Sequence, residues 1–337
     1  MKTIKLLLAT AFVSVLISCS KDKEPADAVG ATFTNGLTFQ KIKDLPNNYY
    51  DDQSVGFFAN QANSSLYISC RDMDVLQSET ILKFNTIDQS FIRKNTPTQD
   101  FITKRNCIYN NQLYVFGAQR CNAYNIDLSL NFSPLPYKTN LVLSRFGFTT
   151  LNENAYIVGG FIGGSYSDDK KIWKFNMITN SFTEQATMSV SRSGGSSEIV
   201  NNKIYTFFGY ERIDNPINNI GVYFKFLNDL QIYNLSTNLF ENVALTNNVK
   251  VSFTAKYNNY IFVAGNKTTE YYSSPVVGSF FGYFNTDTNI MTEIPITVQE
   301  NNFAFPYICE IEVMNNKIYA LVKNNANVYS IQVANLQ

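Results

Sequence analysis

The sequence contains no histidine among its 337 residues. This absence excludes Ser-His-Asp and Cys-His catalysis, histidine-ligated zinc or copper, and histidine-based pH switching. Charge is also scarce: charged residues make up 16% of the chain, and 27 basic residues balance 27 acidic ones. We therefore expect no broad basic surface for nucleic acid, and we predict neither a metal nor another cofactor.

Apolar side chains are abundant, because 45% of the residues are hydrophobic and 15% are aromatic. Such a composition excludes disorder and can fill a large core. Beyond Cys19, the four cysteines are Cys70, Cys107, Cys121 and Cys309. Their spacing fits no metal motif and leaves three disulfide pairings open. An exported compartment permits disulfides, whereas a chain of this size can fold with buried free thiols instead.

Residues 1–18 have the pattern of an export signal, in which two lysines precede an apolar run over residues 6–17. The run is too short to span a bilayer. It ends in Leu16-Ile17-Ser18-Cys19, which resembles the lipobox of bacterial lipoproteins. This resemblance implies that Cys19 becomes the acylated N-terminus and anchors the protein in a membrane. The alternative is an ordinary secretory signal with an incidental cysteine.

Residues 19–32 form a predicted flexible tether, since Ser20–Asp27 is charged, contains proline and lacks large apolar side chains. A charged segment just after the lipidated cysteine resembles the surface-export signals of Bacteroidetes lipoproteins. We therefore expect an outer membrane lipoprotein of the cell envelope that contacts the membrane through its lipid anchor only. The anchored protein then faces either the periplasm or the cell surface.

One short pattern recurs six times in the remaining chain: a polar or Asn-rich turn, an aliphatic residue, then an aromatic one. The aromatic members are Tyr67, Tyr114, Tyr156, Tyr205, Phe262 and Tyr319. They are 42 to 57 residues apart. Repeats of this length with strand patterning are typical of β-propeller blades.

A second pattern follows each of the first five copies and predicts a hairpin: an aromatic residue, an asparagine, and a bulky apolar residue seven or eight positions after the aromatic one. Ile172–Phe182 is the clearest copy. Each unit then has four strands, a to d, whose two apolar faces must be buried against neighbouring units. The predicted fold class is all-β, a six-bladed β-propeller with four-stranded blades.

The repeated unit resembles that of the kelch family of propellers, in which strand b ends in a Gly-Gly pair. The pair is intact at Gly159-Gly160, half kept in the second, fourth and fifth units, and absent from the first and last. Arg192 matches the arginine that opens strand a in the family, and Arg145 is a near match. The resemblance covers residues 33–337 and implies a single kelch-like domain.

The sixth unit lacks an outer strand, because the chain ends soon after Tyr329-Ser330-Ile331. Leu37–Pro46, before the first strand a, has the spacing of a strand d. We predict that this N-terminal strand completes the last blade and closes the ring, which removes free sheet edges. We expect six blades, since no residues remain for the seventh blade of the alternative ring. We also expect a monomer.

Loop length predicts the functional face. The b–c loops and the d–a crossings share one end of an antiparallel ring, and the a–b and c–d turns share the other. Between the aromatic residues of strands b and c the spacing varies from 10 to 28 residues, whereas the c–d turns are nearly constant. Insertions collect where binding occurs, so we expect the binding surface at the b–c end of blades 3 to 5.

The longest of these loops carry the candidate binding residues Tyr166, Tyr210, Glu211, Arg212, Tyr271 and Tyr272. Exposed tyrosine beside amides, carboxylates and arginine suits a sugar or a partner protein, while packing between blades is the alternative for each tyrosine. Arg105, Arg145 and Arg192 are expected at the same mouth. There they either form a cationic ring for a carboxylate or sulfate, or tie blades together through backbone carbonyls.

The sequence favours a non-catalytic module that binds a glycan or a partner protein, and no residue is assigned as catalytic. A second hypothesis is an enzyme, because six-bladed kelch proteins include sialic acid mutarotases. Those need acid–base groups near an arginine, which Glu211 with Arg212, Arg145 or Arg192 would supply. A third hypothesis is a structural component of an envelope complex.

Overall fold

Six antiparallel sheets follow one another along the chain in a computed structural model of the protein. The chain divides into two compact units, Met1–Thr32 and Phe33–Gln337. The described residues all belong to the second unit: 35–46, 49–50, 55–72, 79–96, 105–117, 120–128, 133–136, 143–162, 167–214, 222–268, 276–299, 305–324 and 328–336. The predicted signal, Cys19 and the tether lie outside them. No helix in these ranges is long and apolar enough to cross a membrane.

Each sheet is a blade whose strands we label a to d from the innermost outward. They are Gly56–Asn60, Ser65–Asp72, Glu79–Asn85 and Phe91–Thr96 in blade 1; Arg105–Tyr109, Gln112–Phe116, Arg120–Asn125 and Ser133–Pro136 in blade 2; Gly147–Leu151, Asn154–Val158, Lys171–Asn176 and Ser181–Thr187 in blade 3; Ser196–Val200, Lys203–Phe207, Asp229–Asn234 and Leu239–Ala244 in blade 4; Val249–Tyr257, Tyr260–Thr268, Val276–Asn285 and Ile290–Glu293 in blade 5; and Ile308–Met314, Lys317–Lys323, Tyr329–Asn335 and Leu37–Asp44 in blade 6.

Shorter elements decorate the blades. Tyr49–Tyr50 pairs with strand b of blade 1, a 3-10 turn covers Gln61–Asn63, and Ile296–Val298 adds a parallel strand outside blade 6. Two further sheets are insertions at the b–c end. They are the three-stranded sheet of Leu143–Ser144, Phe161–Ile162 and Ser167–Asp168, and the hairpin of Tyr210–Asp214 with Val222–Phe226.

The predicted ring closure is confirmed. Leu37–Asp44 pairs antiparallel with strand c of blade 6, with Gln40 opposite Val333 and Asp44 opposite Ser330. Phe39 is fully buried, and its ring meets Phe281 of blade 5 edge-on at 5.7 Å between centroids. The first outer strand in sequence therefore completes the last blade in space.

Adjacent blades bury each other's faces, as the sequence predicts. Every one of the six interfaces contains a pair of buried apolar side chains, one from each blade. The pairs, in order around the ring, are Tyr67 with Leu113, Phe116 with Phe175, Tyr156 with Ile204, Phe207 with Phe284, Phe281 with Phe39, and Leu321 with Leu66. Burying apolar area of this kind is the main favourable contribution to folding.

Each of the four cysteines in the described residues is a buried thiol. This agrees with the free-thiol alternative and not with a disulfide framework. Desolvation raises the pKa of Cys107, and it raises the pKa of Cys121 well above its usual value, with a further contribution from Cys107. These thiols are packing residues and poor nucleophiles.

Candidate functional site

The six innermost strands surround a central channel that contains a cavity of about 50 Å³. Every blade contributes to its lining, which comprises Phe57, Arg105, Asn106, Phe148, Ser196, Ser197, Glu198, Phe253, Thr254, Glu310 and Glu312. In blades 2, 3 and 4 these are among the first three residues of strand a. Strand a begins at the d–a crossing, so the cavity occupies the half of the channel toward the b–c end.

An ion pair crosses the channel between blades 2 and 6. Arg105 Nη1 lies 3.0 Å from Glu310 Oε1, and the two side chains are 16% and 10% exposed. The same guanidinium nitrogen donates to the Val55 carbonyl oxygen at 3.4 Å, just before strand a of blade 1. Desolvation raises the pKa of Glu310 to about 7, although the positive charge of Arg105 and the Ile311 amide oppose the shift.

Glu198 and Glu312 form a second layer, two residues closer to the a–b turns. Each lies two positions before the last residue of its strand, whereas Arg105 and Glu310 lie four positions before it. Desolvation raises the pKa of Glu198 to about 8, against the attraction of Lys256, and the charge of Glu310 adds to it. Desolvation also raises the pKa of Glu312 well above its usual value, and the charges of Glu198 and Glu310 raise it further.

Hydrogen bonds between strands fix the polar wall of the cavity. The Asn106 amide donates to the Gly56 carbonyl at 3.1 Å, and its oxygen accepts from the Ser69 hydroxyl at 2.7 Å. The Ser196 hydroxyl donates to Ser252 of the next blade at 2.8 Å. These polar groups are held by the scaffold, so their positions do not depend on a ligand.

Three phenyl rings, Phe57, Phe148 and Phe253, complete the lining between the polar groups. The arrangement offers carboxyl and carboxamide oxygens, hydroxyls, one guanidinium and apolar rings within one cavity. Its polar groups can form hydrogen bonds with a polyhydroxylated molecule. Carboxyls whose pKa lies near neutral pH can also exchange protons. Within the ranges that the structure describes, no group of three Asp, Glu or Cys side chains converges closely enough to hold a metal ion.

Arg145 and Tyr210, both predicted binding residues, contact each other. Arg145 Nη1 donates to the Tyr210 hydroxyl at 2.8 Å. The expectation that Tyr210 is an exposed loop residue is wrong, because it starts the inserted hairpin and is fully buried between Phe224 and Phe226. It follows the packing alternative, since its hydroxyl contacts Arg145 at the crossing before blade 3 while its ring packs on the hairpin of blade 4.

Arg192 is buried at the d–a crossing before blade 4, with its side chain 1% exposed. It donates to the Phe208 carbonyl oxygen and to Asp229 Oδ1, the latter at 2.6 Å. This agrees with the alternative in which the arginine holds the blades together through a backbone carbonyl. The guanidinium is therefore already bound by protein groups. Arg105, Arg145 and Arg192 therefore do not form an open cationic ring, because each is held by a different partner.

Glu211 and Arg212 lie in the first strand of the inserted hairpin and are half-buried. They stand opposite Lys225 and Phe224 in the second strand. Their role in binding stays a prediction. Tyr166, Tyr271 and Tyr272 lie outside the described residues, as does the predicted lipid attachment residue Cys19.

Sequence reasoning missed the three channel glutamates. A signal for them exists, because strand a of blade 6 alternates Glu310, Ile311 and Glu312, and strand a of blade 4 places Glu198 before Ile199. Alternation puts the two glutamates of blade 6 on one face of the innermost strand. Carboxylates in a strand that is otherwise apolar indicate a polar channel.

The Kelch motif family matches residues 143–189, which span blade 3. No curated protein matches the chain. Among solved structures, that of YjhT is similar to this chain with a TM-score of 0.54 and 10% sequence identity. The alignment covers 75% of this chain and 99% of YjhT. At this identity the similarity supports the fold and carries no function with it.

Proposed function

We propose that this six-bladed Kelch propeller is a binding module of the cell envelope that takes a glycan or a partner protein at the b–c end of its ring. One observation carries the proposal: the inserted strands of blades 3 and 4 and the channel cavity lie at the same end. The blades supply a rigid frame, and binding residues on such frames concentrate in the loops that it positions.

The first strand of the propeller identifies the end at which the chain enters the ring. Strand d of blade 6 begins at Leu37, and Gln40 pairs with Val333 near the end of strand c. Lys317, the first residue of strand b, pairs with Asn335, so this end of the blade is the a–b end. The chain therefore enters the propeller at the end of blade 6 that is opposite to the b–c loops.

A glycan suits the lining better than an extended peptide does. The cavity combines the carboxyl, amide and hydroxyl groups of Glu198, Asn106 and Ser197 with phenyl rings. Hydroxyls of a sugar can pair with the former while its C–H faces pack on the latter. A partner protein would instead contact the rim of the inserted hairpin, where tyrosine and arginine give strong contacts.

A carbohydrate-active enzyme, such as a mutarotase of the kind that the resemblance implies, is a second candidate. The channel glutamates favour it, because burial brings the pKa of Glu310 to about 7 and that of Glu198 to about 8. General acid–base groups work best with a pKa near the operating pH. This candidate uses the same cavity and differs in whether the bound sugar changes.

Ligand-induced thermal stabilisation tests the proposal with the full chain and a panel of sialic acids, amino sugars and plant and host glycans. A ligand that binds only the folded state raises Tm, by an amount that grows with its concentration over Kd. NMR of the anomeric protons in the same samples then shows whether a bound sugar interconverts faster. Faster interconversion that disappears in Glu198→Gln would favour the enzyme.

Two arginine variants give matched controls. Arg212→Gln in the inserted hairpin should reduce the ligand-induced shift, whereas Arg93→Gln in the outer strand of blade 1 should leave it unchanged. If no glycan stabilises the protein, capture from membrane extracts tests the protein partner, and an Arg212-dependent partner would support that alternative. Equal capture by both variants would argue against the b–c end and favour a structural role in an envelope complex.

A further inference from the structure

The ionisable groups of the channel come from alternate blades. Arg105 belongs to blade 2, Glu198 to blade 4, and Glu310 and Glu312 to blade 6. The innermost strands of blades 1 and 3, Gly56–Asn60 and Gly147–Leu151, contain no charged residue. The innermost strand of blade 5 contains Lys250 and Lys256. Among the described residues, the cluster therefore holds three carboxyls against a single guanidinium, and the lysines of the innermost strands lie on the strand between blades 4 and 6.

The two cations, Arg105 and Lys256, act on different carboxyls of the cluster. Arg105 pairs with Glu310, and Lys256 attracts Glu198 although its own side chain is exposed. For Glu312 the acting charges are those of Glu198 and Glu310, both of the same sign, and its stabilising contacts are the backbone amides of Ala59 and Val313. A fully ionised cluster would place like charges on the innermost strands of blades 4 and 6, on either side of blade 5, in one cavity.

We propose that Glu198, Glu310 and Glu312 form a pH-sensitive lock in the central channel, which holds the ring tightly while protons are retained and loosens it once the carboxyls ionise. Protonated carboxyls can donate hydrogen bonds across the channel, while ionised ones repel each other at low dielectric. Once Glu310 is ionised, its 3.0 Å contact with Arg105 is an ion pair between blades 6 and 2 and offsets part of the repulsion. The lock is a property of the free propeller and goes beyond the proposed binding function.

The direction of the pH effect follows from the pKa values. Desolvation lifts the pKa of Glu198 to about 8 and that of Glu310 to about 7, both above the value of about 4.3 expected in the unfolded chain. The folded state therefore binds more protons than the unfolded state between these limits. Stability is fully present below the unfolded pKa and is lost as the pH rises through about 7 to 8. Because the carboxyls interact, the cluster titrates as a unit.

Thermal unfolding of the full chain between pH 5 and pH 9 tests the lock. We expect the Tm of the unmodified protein to fall by several degrees over this range. Glu312→Gln and Glu198→Gln should each flatten the profile and unfold at a higher temperature than the unmodified protein at pH 9. Glu241→Gln, an exposed change in the outer strand of blade 4, should keep the original slope. A flat or rising profile, or equal slopes in all four proteins, would overturn the proposal.

A second measurement does not depend on the variants. In protein labelled with ¹³C at the glutamate carboxyl, at least two resonances should titrate above pH 6, well above those of the exposed glutamates. Titration of every carboxyl below pH 6 would contradict the lock even if the variants failed to fold. Neither measurement uses a ligand, so a missing glycan leaves the test of the lock intact.

Discussion

At the scale of single residues, the turns of this propeller depend on asparagine. Eleven of the sixteen non-glycine residues with positive φ in the described residues are asparagines, placed in the a–b and c–d turns. A left-handed conformation costs an ordinary residue about 1–2 kcal/mol, and asparagine tolerates it better because its short side chain bonds locally. The many Asn-Asn pairs of the sequence therefore follow from tight turns between short strands.

Asn180 in the c–d turn of blade 3 tests this account. It is exposed and has a φ of 51°. Replacement by alanine should lower the free energy of unfolding by about 1 kcal/mol, whereas replacement by glycine should change it little. Urea denaturation of both variants gives the comparison, and equal stability of the alanine and glycine variants would contradict the role of the backbone conformation.

Arg192 is a buried polar residue whose loss should be costly. Arg192→Met removes the donors that reach the Phe208 carbonyl oxygen and Asp229, and leaves a carboxylate that is 29% exposed without its ion-pair partner. Removing one partner of a fully buried pair costs about 3–5 kcal/mol, and the partial exposure of the Asp229 carboxylate brings the expected loss toward the lower end of that range. The control is Lys171→Met, which breaks the exposed pair with Glu184 and should leave stability nearly unchanged. Similar urea midpoints for the two variants would be evidence against a structural role of Arg192.

At the scale of elements, the blades could be predicted from sequence, while the channel could not. The aliphatic–aromatic pairs of strand b mark each blade because their side chains must pack between sheets, as Tyr67 and Tyr205 do. Phe39 likewise revealed an outer strand far from its blade in sequence. The channel carboxyls Glu198, Glu310 and Glu312 come from two blades that are not adjacent, and only the stacking of blades around the channel brings them together.

The same limit explains the misplaced tyrosine. Tyr210 lies in a long b–c segment, for which loop length predicted exposure. The segment pairs with itself, with Tyr210 opposite Phe226, and so encloses its own aromatic ring. A hairpin inside a loop is held by pairs between its two strands. In the first strand Tyr210 alternates with Arg212 and Asp214, so the sequence shows no apolar face that would predict a strand there.

The closing strand depends on one aromatic contact more than on its length. Phe39 is fully buried against Phe281, so Phe39→Ala should lower the free energy of unfolding by about 3–5 kcal/mol. Phe240→Ala is the matched control, because Phe240 lies in the outer strand of blade 4 and is 36% exposed. Chemical denaturation of the two variants should separate them clearly, and an equal loss of stability would show that outer strands contribute alike.

At the scale of the whole molecule, stability depends on closing the circle with strands from both ends of the chain. A ring of six blades has six interfaces, and each blade buries its apolar faces only if the ring is complete. Blade 6 supplies strands a to c from residues 308–335, and its outer strand comes from residues 37–44. Without that strand, the edge of Tyr329–Asn335 would present unpaired backbone groups and invite association.

Moving the first strand to the other end of the chain tests whether ring closure, and not merely the presence of these residues, stabilises the propeller. A chain that begins at residue 47 should unfold at a lower temperature than a chain that begins at residue 33, and should associate through the open edge. Appending residues 36–46 after Leu336 through a short Asn-Gly turn should restore both the monomer and the Tm, because Leu37 and Asn335 lie at the same end of blade 6. Light scattering with size-exclusion chromatography and thermal unfolding give the two readouts. If the chain that begins at residue 47 stayed monomeric with an unchanged Tm, closure by the first strand would not be what holds the ring together.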